Sequence, residues 1–376
     1  MPPSRLPFLA AAALALAAAG CSSADSASTT TTTAGATGAV GGTLGAKADI
    51  STPTAGLTGA GASSAQPFLT RVFYEYSLAN HGVTVNYSPA GSAVGITDLQ
   101  SESVDFGQSE VPMGASDVAK AEGGTVLQIP VDLGGVAISY NVPGAPKDLH
   151  LNGTQIAGIY LGTITDWHDI DASIPAGTTI VPVHRADSSG PGYDLDQYLI
   201  DTATAWVSAI GTTTASKTWP KSNIGIGEQL NSGVATYVKQ TPGAIGFVEY
   251  AYAEQNGFTD AELLNEAGDY VSPSTSSIAA SGERASDLSS SNFNIVNEPG
   301  ATTYPLANFS WTLLYERQSD THTGTALGKL FDWISSTGQK YATALGYAPL
   351  PADVQAVAHR TLLQLEGPTG AELFAQ

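Results

Sequence analysis

The chain has 376 residues, of which only 13% are charged, and it carries a formal net charge of -20 with a pI near 4.4. So acidic a chain, with no basic cluster to offset the field, is a poor partner for nucleic acid, and any anion it holds must be held by a local site. The single cysteine excludes an internal disulfide, and the six histidines (His81, His150, His168, His184, His322 and His359) lack metal-ligand spacing such as His-Glu-x-x-His, so no metal and no cofactor is expected.

Residues 1–21 read as a lipoprotein-type export signal. Arg5 supplies the charge, an apolar run covers residues 6–19, and Gly20 precedes Cys21, the acceptor expected for lipidation. Ala18 stands where such signals usually carry Leu, and an ordinary secretory peptide with an incidental cysteine is the alternative. The run is shorter than the ~20 residues a spanning helix needs, and no other stretch is long and apolar enough. Residues 22–50, a Ser/Thr/Ala/Gly tract with Thr at every position from 29 to 33, predict a disordered tether. Residues 51–376 exceed the size at which one hydrophobic core stops growing, which predicts two domains.

Phe68, Leu69, Val72, Phe73 and Tyr76 repeat at helical spacing and are closed by Asn80-His81-Gly82. Strand-like runs cover residues 83–87, 105–107, 126–129, 135–140 and 179–183, with a short helix near Ile96 and a helix over 193–200. The C-terminal end reads as helices over 325–335, 339–345 and 351–365, with Pro351 suited to a first turn. Alternation of this kind predicts an α/β fold. No internal repeat is present.

The segment Arg185-Ala186-Asp187-Ser188-Ser189-Gly190 carries the most chemistry. A guanidinium offers a planar fork of donors to an oxyanion, and Asp187 can pin that fork. Ser189 and Gly190 fall between a strand and a helix, where bare N–H groups and the positive end of the helix dipole suit an anion. The plainer reading is a capped helix with a surface ion pair. Two further small-residue turns precede helices, at Gly59 to Ser64 and at Gly91-Ser92, and each read singly is an N-cap. In open α/β sheets such turns lie beside the carboxyl ends of strands, so three of them can converge on one ligand. Glu110, in Val104-Asp105-Phe106-Gly107-Gln108-Ser109-Glu110-Val111-Pro112, is useful there if the anion carries a proton. A buried carboxylate accepts from a phosphate OH and repels sulfate, which has no proton to give. Read alone, Glu110 is a solvated loop residue.

Ser92 after Gly91, Val104 to Gly107, Arg185 to Gly190, the string from Pro242 to Ala253 (PGAIGFVEYAYA) and Phe331-Asp332-Trp333 resemble the phosphate-binding lipoproteins of the ATP-driven (ABC) phosphate importer, the PstS family, over about residues 55–365. The resemblance implies a two-lobed periplasmic-binding-protein fold of type II, with mixed sheets flanked by helices and a two-crossover hinge. It implies crossings near residues 130 and 300, which give lobe I as 51–130 plus 301–376 and lobe II as 131–300. By position it implies a phosphate site of Ser63, Ser64 (through its backbone N–H), Ser92, Glu110, Arg185, Ser189 and Gly190, supported by Asp187. Partners implied are inorganic phosphate, a membrane permease, and the membrane itself through the lipid on Cys21, for a monomeric, extracytoplasmic protein. Two positions depart from the pattern. Glu110 replaces an Asp, which lengthens the acceptor's arm by one methylene. Pro191 replaces a Thr that supplies both a hydroxyl and an N–H, and proline supplies neither; Ser188 and the N–H of Gly192 are the candidates to compensate.

Other readings of the same residues are an exported phosphatase, a binding protein for a different oxyanion, or a sensor on the same fold. The chemistry for the first is thin, since no Gly-x-Ser-x-Gly elbow occurs. His184 adjoins Arg185 but, as a neighbour on a strand, is expected to face away from it.

Overall fold

The computed structural model describes residues 44, 54–212, 219, 224–285, 288 and 294–375. The expected export signal, Cys21 and all of the expected tether but Leu44 lie outside the described residues; Leu44 is buried, and its N–H donates to Asp332 at 3.3 Å.

The described chain opens with β1 (Ala55–Gly61), α1 (Gln66–Ala79), β2 (Val83–Pro89), α2 (Ser92–Gln100), β3 (Phe106–Ser109), the short α3 (Ala115–Val118) and the long β4 (Val126–Asn141). It continues through β5 (His150–Leu151), α4 (Gly153–Tyr160), β6 (Val181–Arg185), α5 (Gly190–Thr202), α6 (Thr204–Ile210), β7 (Ile226–Glu228), α7 (Leu230–Gln240), β8 (Ala244–Glu249) and α8 (Tyr250–Asn256). After β9 (Thr259–Asp260), β10 (Glu262–Leu264), β11 (Tyr270–Val271) and α9 (Thr275–Gly282), it ends with β12 (Ala307–Tyr315), α10 (Thr321–Ser335) and α11 (Ala352–Leu362).

One mixed sheet, in the order β2-β1-β3-β12-β4-β8-β6-β7, organises these elements. Its two wings are parallel, β1 with β2 and β3, and β6 with β7 and β8. Between them β12 and β4 run antiparallel to their neighbours, and β4 belongs to both wings: residues 126–135 pair with β12 and residues 136–141 with β8. The sequence predicts two separate strands here, over 126–129 and 135–140; between them stands Pro130, which has no N–H to donate. The chain runs through it because Val131 is an extra residue of β4, with Asp132 opposite Ser310 and Pro130 opposite Trp311, so that the missing donor falls beside a bulge.

Each wing buries its own helices. The predicted apolar stripe of α1 is fully inside, packed with Phe106, Leu327, Leu330 and Phe331, while Arg71 and Glu75 pair at 2.8 Å on its outer face. Burying side chains of this size contributes about 1.5–3 kcal/mol each. The other wing packs Trp167, Tyr198, Trp206 and Phe247 against β4, β6 and β8. Where a third C-terminal helix is expected over 339–345, two 3-10 turns form instead (Thr337–Tyr341 and Thr343–Leu345). Gln339 ties this segment to the core: its amide donates to the carbonyls of Val131 and Ile334 and accepts from Leu350 N–H, and left-handed Gly346 ends it.

Candidate oxyanion site

The three small-residue turns meet at the junction of the two wings. β1 ends at Gly61, whose φ of +142° and close approach leave no space for a side chain: a Cβ would stand 1.9 Å from the carbonyl oxygen of Gln108. The chain bends there into Ser63 and Ser64, both buried. Neither hydroxyl caps α1, whose N-cap is Ala65 without a side-chain bond. Ser63 Oγ instead accepts from Asn231 Nδ2 at 3.2 Å, and the Ser63 and Ser64 carbonyls accept from the Tyr252 and Tyr347 hydroxyls. Ser92 likewise does not cap its helix; its Oγ accepts from the Glu110 N–H at 3.3 Å.

From the other wing, β6 delivers Arg185, 2% exposed, to the junction. Its Nε donates to Asp187 Oδ1 at 2.7 Å and Nη2 to Oδ2, and the Leu230 N–H holds Oδ1 at 3.0 Å, so the guanidinium is fixed from behind. This is a buried clamp, not a surface ion pair. Ser189 is the N-cap of α5 and its Oγ accepts from Gly192 N–H at 3.1 Å. His184 turns from the guanidinium as expected, its ring stacked over Trp219 and its Nδ1 at the Arg185 carbonyl.

The wings touch across the junction. A Cβ on Gly190 would lie 2.0 Å from Glu110 Oε2, and one on Gly91 (φ +94°) would lie 2.8 Å from the carbonyl of Ser188 and 3.0 Å from Asp187 Oδ2. Only glycine permits either approach. All ten predicted residues of the cleft, Ser63, Ser64, Ser92, Glu110, Arg185, Asp187, Ser188, Ser189, Gly190 and Gly192, therefore gather in one place. Of the two candidates to offset Pro191, the Gly192 N–H is already taken by Ser189, whereas Ser188 Oγ is buried with no hydrogen-bond partner among the described residues. Pro191 itself sits in the first turn of α5, where a missing N–H disturbs no helix bond.

Glu110 is 5% exposed, not the solvated residue of the plainer reading. Burial pushes its carboxyl up to about 7, against the pull of the Ser64 hydroxyl and the Arg185 charge. Ser64 Oγ is buried and has no hydrogen-bond partner of standard geometry among the described residues. Glu110 Oε2 is likewise unpartnered among the described residues, while Asn308 Nδ2 approaches Oε1 at 3.5 Å.

Several residues of the junction escape sequence reading. Asn231, Tyr252, Tyr347 and Asn308 make the contacts just named, and Asp132, Asp194 and Glu249 bring three more buried carboxyls. The string from Pro242 to Ala253 contains Glu249 and Tyr252 and marks the segment, but nothing local marks the other five. Among the described residues no group of His, Cys, Asp and Glu could hold a metal ion, and no helix is long and apolar enough to cross a membrane.

A PBP superfamily domain matches residues 22–337. A phosphate-binding protein PstS of Xylella fastidiosa is 35% identical over 308 residues, covering 79% of this chain and 82% of its own, and a PstS of Pasteurella multocida is 35% identical over 317 residues, covering 81% and 89%. This chain belongs to the PstS family. The periplasmic phosphate-binding protein PfluDING, solved with phosphate bound, superposes with a TM-score of 0.68 at 18% identity, over 81% of this chain and 93% of its own. A phosphate-binding protein of Stenotrophomonas maltophilia gives 0.66 at 18%, with the same coverage. The fold is the two-lobed periplasmic-binding-protein fold of the PstS family, α/β with mixed sheets and flanking helices.

Proposed function

We propose that this protein captures inorganic phosphate between two lobes outside the cytoplasm and delivers it to an ABC-type phosphate permease; it is a binding protein, not an enzyme. The observation that carries this reading is how the serines are spent. The acceptor sides of Ser63, Ser92 and Ser189 are occupied by N–H donors from Asn231, Glu110 and Gly192, which leaves each O–H to donate into the cleft. Three hydroxyl donors, a pinned guanidinium and one unpartnered carboxylate oxygen match an oxyanion that still carries a proton.

In this reading Ser63, Ser64, Ser92 and Glu110 belong to lobe I (51–130 plus 301–376) and Arg185, Ser189 and Gly190 to lobe II (131–300). β4 and the segment before β12 make the two crossings. Asp187 and Ser188 support the clamp. Phosphate bridges the lobes, and its contacts with both favour the closed form. Cys21 carries the lipid that tethers the monomer to the membrane. Cys21→Ser releases the protein into the soluble fraction if so; retention at the membrane overturns the anchor.

Calorimetric titration with phosphate, arsenate and sulfate tests the ligand. Binding of phosphate and arsenate with sulfate excluded is expected, and equal affinity for sulfate overturns phosphate specificity. Sustained turnover of a phosphomonoester would return the exported-phosphatase reading.

A further inference from the structure

Four buried carboxyls share this junction: Glu110, Asp132, Asp194 and Glu249, each 5% exposed or less. Asn308, 4% exposed on β12, stands among them. Its Nδ2 donates to Asp194 Oδ2 at 2.8 Å and reaches toward Glu110 Oε1 at 3.5 Å. Its Oδ1 has no partner among the described residues, and it lies beside Glu249 Oε1 over Gly134, where a Cβ would meet the two oxygens at 3.1 and 2.2 Å. Glu249 Oε1 accepts from Gly135 N–H at 2.9 Å, while Glu249 Oε2 and Asp132 Oδ2 are unpartnered among the described residues. Asp132 is held beside Ser310 by the β4–β12 register.

The charges around Glu110 do not balance. β6 supplies Arg185, the one buried cation among the described residues, but Asp187 already matches it. The other titratable groups facing Glu110 are Asp132 from β4, Asp194 from α5, Glu249 from β8, and the phenols Tyr87 from β2, Tyr252 from α8 and Tyr347. An oxyanion adds further negative charge. Buried carboxylates without a cation take up protons. Burial first, and then the charge on Glu110, pushes Asp132, Asp194 and Glu249 well above the usual carboxylate range.

We propose that Asp132, Asp194 and Glu249 form a proton-accepting layer behind Glu110, organised by Asn308, and that phosphate capture draws protons from solvent into it. The inference rests on the reading of the cleft as a phosphate site. When the lobes part, water reaches the carboxylates and they ionise; closure removes the water and adds the ligand's charge, and both changes favour the acid. Each carboxylate gains one proton from bulk water or buffer and no other bond changes. Asn308 is a positioning residue: its N–H groups serve Asp194 and Glu110, and its Oδ1 accepts a hydrogen bond from the O–H that Glu249 gains. Glu110 can then stay ionised and accept from the ligand while its neighbours neutralise. More protons are bound in the closed complex, so affinity falls as pH rises, about tenfold per pH unit for each proton taken up.

The test is calorimetric titration with phosphate at pH 8, where phosphate is largely dianionic, in Tris and in HEPES, whose different heats of ionisation report the protons exchanged. The wild type is expected to take up protons, and Glu249→Gln, Asp194→Asn and Asp132→Asn, whose amides stand in for neutral carboxyls, to take up fewer. Asn308→Leu is expected to lower the number too; lost stability with an unchanged number would return Asn308 to a packing role and overturn its part. Saturable heat that is identical in both buffers overturns the inference, as does uptake unchanged in Glu249→Gln, Asp194→Asn and Asp132→Asn alike, which would put the proton on Glu110 or the ligand. The wild-type comparison alone decides if a variant fails to fold. No saturable heat in either buffer overturns the phosphate reading on which the inference stands.

Discussion

Gly190→Ala separates folding from capture. Gly190 opens α5 without a positive φ, so alanine fits its backbone, and the exchange is expected to stabilise the ligand-free protein by about 0.4–1 kcal/mol through lost chain entropy. Across the cleft the same methyl meets Glu110 Oε2 at 2.0 Å, Cβ at 2.3 Å and Cδ at 2.6 Å. The Cβ contact is not the tip of a flexible side chain, so Glu110 must recede by more than an ångström or the lobes must stop short of closure. Overpacking of this kind costs about 1–3 kcal/mol, which weakens phosphate binding about 5- to 150-fold. Thermal unfolding without ligand and calorimetry with phosphate read the two effects independently. Affinity within twofold of wild type would refute the claim that Gly190 and Glu110 face each other across a cleft that closes on ligand.

Arg185→Ala removes the guanidinium; if it gives the anion two charge-assisted bonds of about 1.5–3 kcal/mol each, affinity falls at least about a hundredfold, read by the same titration. Ser188→Ala is expected to weaken binding about fivefold, the effect of one hydrogen bond, because Ser188 takes over from the donors Pro191 lacks; an unchanged affinity would remove it from the site. For Glu110 the raised value of about 7 sets the sign of a pH effect. Above it the carboxylate accepts from phosphate and repels sulfate; below it the acid can donate to sulfate. Sulfate competition is therefore expected to appear as pH falls through about 7 and to be present at every pH in Glu110→Gln, checked by displacement of labelled phosphate. A mutant with wild-type selectivity at pH 8 would take Glu110 out of the site.

The clamp is legible in the sequence because its residues are contiguous. Arg185, Asp187, Ser189 and Gly190 lie within one turn, and their chemistry follows from their types. Ser63 and Ser92 are legible as serines in glycine turns, but their plainer reading as N-caps fails for a tertiary reason: Asn231 and the Glu110 backbone take the lone pairs that a cap would offer its own helix. β1 escapes sequence reading because its residues, AGLTGAG, are poor strand formers. Gly59 has no room for a side chain because Phe106 lies over it, where a Cβ would stand 2.1 Å from the ring, and Gly61 has none because of the Gln108 carbonyl at 1.9 Å. β4 reads as two strands because the bulge at Val131, beside Pro130, shows only in the register against β12, which is far away in sequence. Of the acid layer around Asn308 only Glu249 lies in a marked segment, the string from Pro242 to Ala253. Asp132, Asp194, Glu249 and Asn308 are unremarkable singly, and only the meeting of β4, α5, β8 and β12 makes them neighbours.

If the junction is a cleft selective for a protonated oxyanion, phosphate must bind there even when sulfate is abundant. Titration of the purified protein with phosphate at pH 8 in the presence of excess sulfate puts this to the proof. Saturable binding at one site, undiminished by the sulfate, is expected; competition by sulfate at comparable concentration, or no saturable binding, would contradict a cleft of this kind.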